Sequence, residues 1–330
     1  MNSVVKTVVM AGAMALTVAG TANAKTLVMA LDRAGTLFNA AGSGVAKVAS
    51  EFSPDRVIVR AFGGPDSYME ALNDGKYDFS TVSSSTAWFN YHGKNSAKRS
   101  YNNLRLIRSG AGALKLGFIV YADSGIKKLS DLKGKRVTSD FGGHSVIQPM
   151  VTATLDVVGL SWNQVTPVPV TGALASPEAL GSDRADAAWA SLGMPAVRQI
   201  NAKRQVMYLS YGGDPKTLAH IRKATYPGVR MTKVPPIKKL GVLQPTYLLT
   251  YDSYIVTSKN EDPKIVKAIL EALWDHTKDL QKAHFALRGF SHKAAATDLP
   301  MIPYHPAAIA FYKEKGLWNG EIGKANDAAK

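Results

Sequence analysis

The chain contains no cysteine. That excludes disulfides, thiolate metal ligands and a thiol nucleophile together, so stability has to come from an ordinary buried core. Long apolar runs are scarce as well. The run near the start, Thr7 to Gly20, is rich in Ala, Gly and Thr and falls short of the about 20 strongly apolar residues that a membrane-spanning helix needs. Acidic residues are outnumbered, 25 against 40 basic ones, which leaves a formal net charge of +15. The basic residues are dispersed in small groups such as Lys127-Lys128 and Lys238-Lys239. No basic tract interleaved with aromatics is present, so nucleic acid is not an expected partner. A dispersed excess is compatible with a plain solvated surface, or with attraction of anionic ligands or an anionic membrane face.

Signatures of catalysis are missing too. There is no His-Glu-x-x-His and no Gly-x-Ser-x-Gly. His276, His284 and His292 stand eight apart, which is not the i, i+4 spacing of a helical zinc pair. Gly42-Ser43-Gly44 has Lys47 where a dinucleotide fingerprint needs Gly or Ala, and it falls inside a helical pattern instead of at its start. No enzyme activity, cofactor or metal site is therefore expected.

What is present begins with a leader pattern. Met1 to Lys6 is a basic start, the short apolar run follows, and Ala22-Asn23-Ala24 has the small-residue form of a cleavage site. The expectation is a secretory signal peptide over 1–24, a mature chain from Lys25 and a periplasmic location. Beyond it, β-branched runs alternate with amphipathic stretches. Thr26 to Leu31, Arg56 to Phe62 and Asp78 to Val82 read as strands, Leu37 to Phe52 as a helix, and Pro65 as the first residue of another helix. The pattern restarts with Arg136-Val137-Thr138. Ser145 and Gln148 stand at capping-box spacing and place a helix start at Ser145 to within a residue or two. Such alternation predicts an α/β fold of two lobes, each a mainly parallel sheet flanked by helices, with a ligand cleft between them. Two apolar runs, Leu114 to Ala122 and Gly241 to Thr257, read as crossovers. They predict a discontinuous first lobe, 25–121 plus 248–330, and a second lobe, 122–247.

Several segments carry a family resemblance. Tyr121 to Ile126 with Leu129 to Val137 resembles a stretch common in periplasmic binding proteins of the type II fold. Gly35-Thr36, Thr225-Tyr226-Pro227-Gly228, Ile302 to Pro306 and Phe311 to Gly316 together resemble the TAXI family of solute receptors for TRAP transporters. The resemblance implies an extracytoplasmic receptor that delivers a small organic anion, carboxylate or amino-acid-like, to a sodium-driven TRAP permease without ATP. This chain departs from the family pattern at Ala34 to Phe38 and at Asp140 to Val146, so the ligands of glutamate-binding relatives do not carry over. An ABC-importer binding protein of the same fold, an enzyme built on it, and a receptor that presents its ligand to a sensor kinase stand as alternatives.

Five turns from a strand end to a helix start are the candidate ligand site: Thr36, Leu37 and Phe38; Gly63 and Gly64; Ser83, Ser84 and Ser85; Gly142, Gly143, His144 and Ser145; Trp189 and Ser191. Ligands of open α/β sheets sit outside the carboxyl ends of the strands, where helix N-termini offer free N–H groups and a partial positive charge. Each turn alone is better explained as ordinary helix capping, and it is the set of five, recurring in both units, that points to a ligand. Arg33, just before the first turn, is placed to clamp a carboxylate or to be a surface charge. Phe38, Trp88 and Trp189 are candidate walls or simple core residues.

Overall fold

Apolar, β-branched runs near the start form the strands β1 (Thr26–Asp32), β2 (Arg56–Phe62) and β3 (Phe79–Ser83). The computed structural model describes residues 24–330. Residues 1–23 of the expected leader lie outside the described residues. β1 lies between β2 and β3 and runs parallel to both, with Thr26 opposite Arg56 and Met29 opposite Phe79. Parallel neighbours need a crossover, and the helix α1 (Leu37–Phe52) supplies the first. It seats closely on the sheet because Gly42 has no side chain: a Cβ there would lie 2.3 Å from the Leu31 side chain.

The helix expected from Pro65 is interrupted. A 3₁₀ turn, Pro65–Ser67, is followed by Tyr68 in a non-helical conformation and then by α2 (Met69–Asn73). The break turns the Tyr68 ring into the core, where it is almost fully buried. α3 (Ser84–Tyr91) begins directly at the end of β3.

Seven strands follow: β4 (Leu104–Tyr121), β5 (Arg136–Ser139), β6 (Thr166–Pro169), β7 (Ala188–Ser191), β8 (Val206–Tyr208), β9 (Arg230–Val234) and β10 (Thr246–Ser258). β5 and β6 pair in parallel, and Val137 bridges in parallel to Ala187 beside β7. The second unit thus repeats the parallel grammar of the first. The long strands β4 and β10 run antiparallel to each other from Leu104/Ser258 to Leu116/Leu249. β10 pairs with β3 at one end and β9 at the other, while the far end of β4 pairs with β7 and β8. Two continuous strands therefore tie the two units together. The fold is α/β, with helices against the sheets.

α4 (Ile147–Asp156) follows β5 after a 3₁₀ turn, Gly142–His144. Near the end of the chain, the helix Pro263–Asp275 buries the stripe Ile265, Val266, Ile269, Leu270 and Leu273 that its spacing predicts. Among the described residues no helix is long and apolar enough to cross a membrane.

Candidate functional site

The carboxyl ends of β1, β3 and β7 open onto one cavity of about 70 Å³, several times the space that one buried water requires. Thr36, Leu37 and Phe38 line it from the start of α1, Ser83 and Ser85 from the start of α3, and Trp189 and Ser191 from β7. His144 enters from the second unit. Eight of the residues expected from sequence are thus brought together here. Leu114 and Leu116 of β4, and Val146, Ile147 and Met150 around α4, complete a largely apolar wall. No lysine or arginine lines the cavity.

The other expected residues sit elsewhere. The Arg33 side chain is exposed and does not line the cavity. Its carbonyl is what contributes, accepting from the Thr36 N–H at 3.3 Å and the Thr36 hydroxyl at 2.9 Å. Ser84 turns away and its Oγ lies 3.1 Å from the Tyr226 hydroxyl. Gly63, Gly64, Gly142 and Gly143 form a seam where the turn after β2 meets the turn after β5. A Cβ on Gly64 would lie 2.4 Å from the Gly143 carbonyl oxygen, so only glycine permits that approach. Ser145 stands beside the seam, and its backbone N–H donates to Asp66 Oδ2 at 3.1 Å. Trp189 and Ser191, expected in a turn, lie within β7, which pairs with β4 up to Leu116 opposite Ser191; the next helix starts only at Pro195. Trp88 is not part of the cavity and carries Lys94 Nζ 4.6 Å above its ring.

Capping uses most of the hydroxyls. Thr36 Oγ accepts from the Asn39 N–H at 3.2 Å, and Ser83 Oγ from the Thr86 N–H at 3.0 Å. Ser83 Oγ also lies 2.7 Å from Ser85 Oγ and 2.9 Å from Thr86 Oγ. These groups fix the helix starts and have little capacity left for a ligand. The backbone remains: the first-turn N–H groups of Leu37, Phe38, Ser84 and Ser85 have no acceptor within their own helices, and each helix start carries a partial positive charge.

Among the polar groups lining the cavity that are not in the expected set, Asp32 and Tyr251 stand out. Asp32, at the end of β1, is buried; its Oδ1 accepts from the Tyr68 hydroxyl at 3.2 Å and its Oδ2 lies 3.2 Å from His144 Nε2. The last contact joins the first unit to the second and becomes an ion pair when the imidazole is protonated. Burial, with the Asp32 carboxylate as the next cause, pushes the Tyr68 hydroxyl well above its ordinary range, so it stays a donor. Tyr251 of β10 is 3 % exposed, and its hydroxyl has no hydrogen-bond partner. Burial raises its ionisation well above the ordinary range as well. Both residues had a signal in the sequence. Asp32 is a charge at a strand's carboxyl end beside a Gly-Thr turn, and Tyr251-Asp252-Ser253 is a polar interruption in an apolar run.

A more open groove of about 760 Å³ lies along β4 and β10, with Lys115, Arg230, Asp252 and Lys293 on its walls. Its strongest cation is already engaged, since Arg230 Nη1 donates to Asp252 Oδ2 at 3.0 Å and Nη2 donates to Oδ1. The enclosed cavity at the strand ends is the better ligand site, because it is concave, mostly apolar and edged by a few convergent polar groups. Among the described residues no cluster of three His, Asp or Glu side chains is arranged to hold a metal ion.

The fold is shared with solved structures at low identity. One, described as a periplasmic transporter, matches at 14% identity with a TM-score of 0.59, covering 93% of this chain and 96% of that one. MatC from Rhodopseudomonas palustris with bound malate matches at 12% identity and a TM-score of 0.55, covering 93% and 99%. PhnD1 from Prochlorococcus marinus, in complex with methylphosphonate, matches at 11% identity and a TM-score of 0.52, covering 89% and 99%. A family model matches residues 33–316, from the turn after β1 to just past the helix Pro306–Glu314, and on that match the chain belongs to the NMT1-like family.

Proposed function

We propose that the chain is an extracytoplasmic solute-binding protein, without catalysis of its own, that captures a small organic anion in the cavity at the strand ends. The observation that carries this reading is the cavity's edge: the first turns of α1 and α3 abut one enclosed space at the carboxyl ends of β1 and β3. Backbone N–H groups at helix starts suit an anion without any basic side chain. The likeness in fold to structures with bound malate and methylphosphonate is in keeping with it.

The residues that resemble the TAXI family support delivery to a TRAP permease, and the Ala22-Asn23-Ala24 site supports export to the periplasm. In this reading β4 and β10 act as the hinge between lobes 25–121 plus 248–330 and 122–247, and the glycine seam with the Asp32–His144 contact is the closed edge of the cleft. A thermal-shift screen of organic acids tests the binding function. A ligand at a hundredfold excess over its Kd stabilises the folded chain by about 2.7 kcal/mol, so carboxylic acids are expected to raise the melting temperature and sugars and polyamines are not. Responses confined to neutral or cationic compounds contradict the anion site. Uptake in reconstituted vesicles that follows a sodium gradient supports a TRAP partner, and uptake that requires ATP assigns the chain to an ABC importer.

A further inference from the structure

We infer that the ligand is a monocarboxylate with an apolar body, and that the Tyr251 hydroxyl is the side-chain donor that receives its carboxylate. The inference rests on the anion-binding reading and narrows it to one class of substrate.

Three observations lead to it. A buried hydroxyl with no partner is costly unless something else satisfies it, and Tyr251 presents one in the cavity wall. Tyr251 precedes by two residues Ser253, which pairs with Ser83, so it belongs to the same end of the cavity as the first turn of α3. Its ring lies 5.6 Å from that of Tyr226, which reaches Ser84 Oγ, and this fixes the aromatic pair against the helix start. A carboxylate there meets a phenol donor and the partial positive charge at the start of α3, where Ser85 lines the cavity.

Beyond the start of α1, which follows the buried Asp32 carboxylate in the chain, the rest of the cavity offers no lysine or arginine to a second charge. Its body is walled by Phe38, Leu116, Met150, Trp189 and Met194. At the Asp32 edge, the Tyr68 hydroxyl is already engaged by the carboxylate, and the His144 ring nitrogen facing it is engaged as well. A second carboxylate on the ligand would lose its hydration to an apolar wall or meet the Asp32 acceptor. An apolar body gains from the same wall.

Calorimetric titration of the purified chain tests this with three sets of probes: 4-methylpentanoate and phenylacetate, glutarate and L-glutamate, and the neutral 4-methylpentanamide and phenylacetamide. The apolar acids are expected to bind at least tenfold tighter than either other set. Tyr251→Phe is expected to weaken them roughly tenfold to a hundredfold, the loss of one hydrogen bond to a charged group. Because the hydroxyl has no partner in the protein, the melting temperature of the ligand-free variant is expected to stay the same or rise. Tighter binding of glutarate or glutamate overturns the inference and leaves the anion receptor standing. Equal binding of the amides overturns both. No response to the apolar acids, or an unchanged affinity in Tyr251→Phe, overturns the inference.

Discussion

The two units solve the same problem, starting a helix at a strand's carboxyl end, in different ways. In the first unit the start is closed by side chains: Thr36 caps α1 and Ser83 caps α3. In the second unit nothing caps α4, and the chain reaches it through Asp140, Phe141 and Gly142, all in the left-handed region with φ of 64°, 54° and 41°. The first arrangement leaves regular helix starts at the cavity's edge, with Leu37, Phe38 and Ser85 lining it. The second sacrifices regularity to bring His144 to Asp32 and Gly143 to Gly64. The first unit starts its helices at the cavity, and the second reaches across to it.

The sharpest way to break this contrast is at Gly142. Its φ of 41° disfavours any side chain, and a Cβ would lie 2.5 Å from the Thr171 carbonyl oxygen. Left-handed strain and overpacking together predict that Gly142→Ala costs about 3 kcal/mol, read from urea unfolding. A loss below the uncertainty of that measurement would mean that the turn is not constrained.

Loss of a cap is smaller. Thr36→Val and Ser83→Ala are each expected to cost about 1 kcal/mol, again by urea unfolding, since each removes the acceptor for a first-turn N–H. Ser145→Ala is expected to be neutral or slightly stabilising in the same assay, because the Ser145 hydroxyl is buried without a partner. Equal losses at all three positions would erase the distinction between the units.

The opposite end of the same strands gives the smallest effect. Glu261 follows β10, away from the cavity; burial, with Asp78 as the next cause, pushes its carboxyl up to about 7. A carboxyl raised in the folded state binds its proton more tightly there than when unfolded. Stability from this group is therefore full below its ordinary value of 4.5 and is lost as the pH rises through about 7. Glu261→Gln is expected to flatten the decline in melting temperature between pH 5 and pH 8 without changing ligand affinity. An undiminished decline would place the titration elsewhere.

Legibility from sequence follows the range of the interactions involved. β2 and α1 have the bounds that their patterns imply, because β-branched runs and a Thr cap act locally. Four of the five expected turns are legible for the same reason, while the fifth, at Trp189 and Ser191, is strand; eight of the expected residues reach one cavity. The second-unit turn does give a helix start within two residues of Ser145, at Ile147, but its capping-box spacing is not used as a cap: Gln148 Oε1 accepts from the Asp140 N–H at 2.8 Å, and the Ser145 N–H is taken by Asp66. Asp32 and Tyr251 gain their roles only from partners, or the want of them, across 112 residues and across the sheet, which no local pattern encodes.

The most direct test of the account is hydrogen exchange with and without a bound acid found by screening. The backbone N–H groups of Leu37, Phe38, Ser84 and Ser85 are expected to exchange more slowly in the complex, because they hold the anion. Protection confined to the groove around Lys115 and Arg230, with those four amides unchanged, would contradict the account.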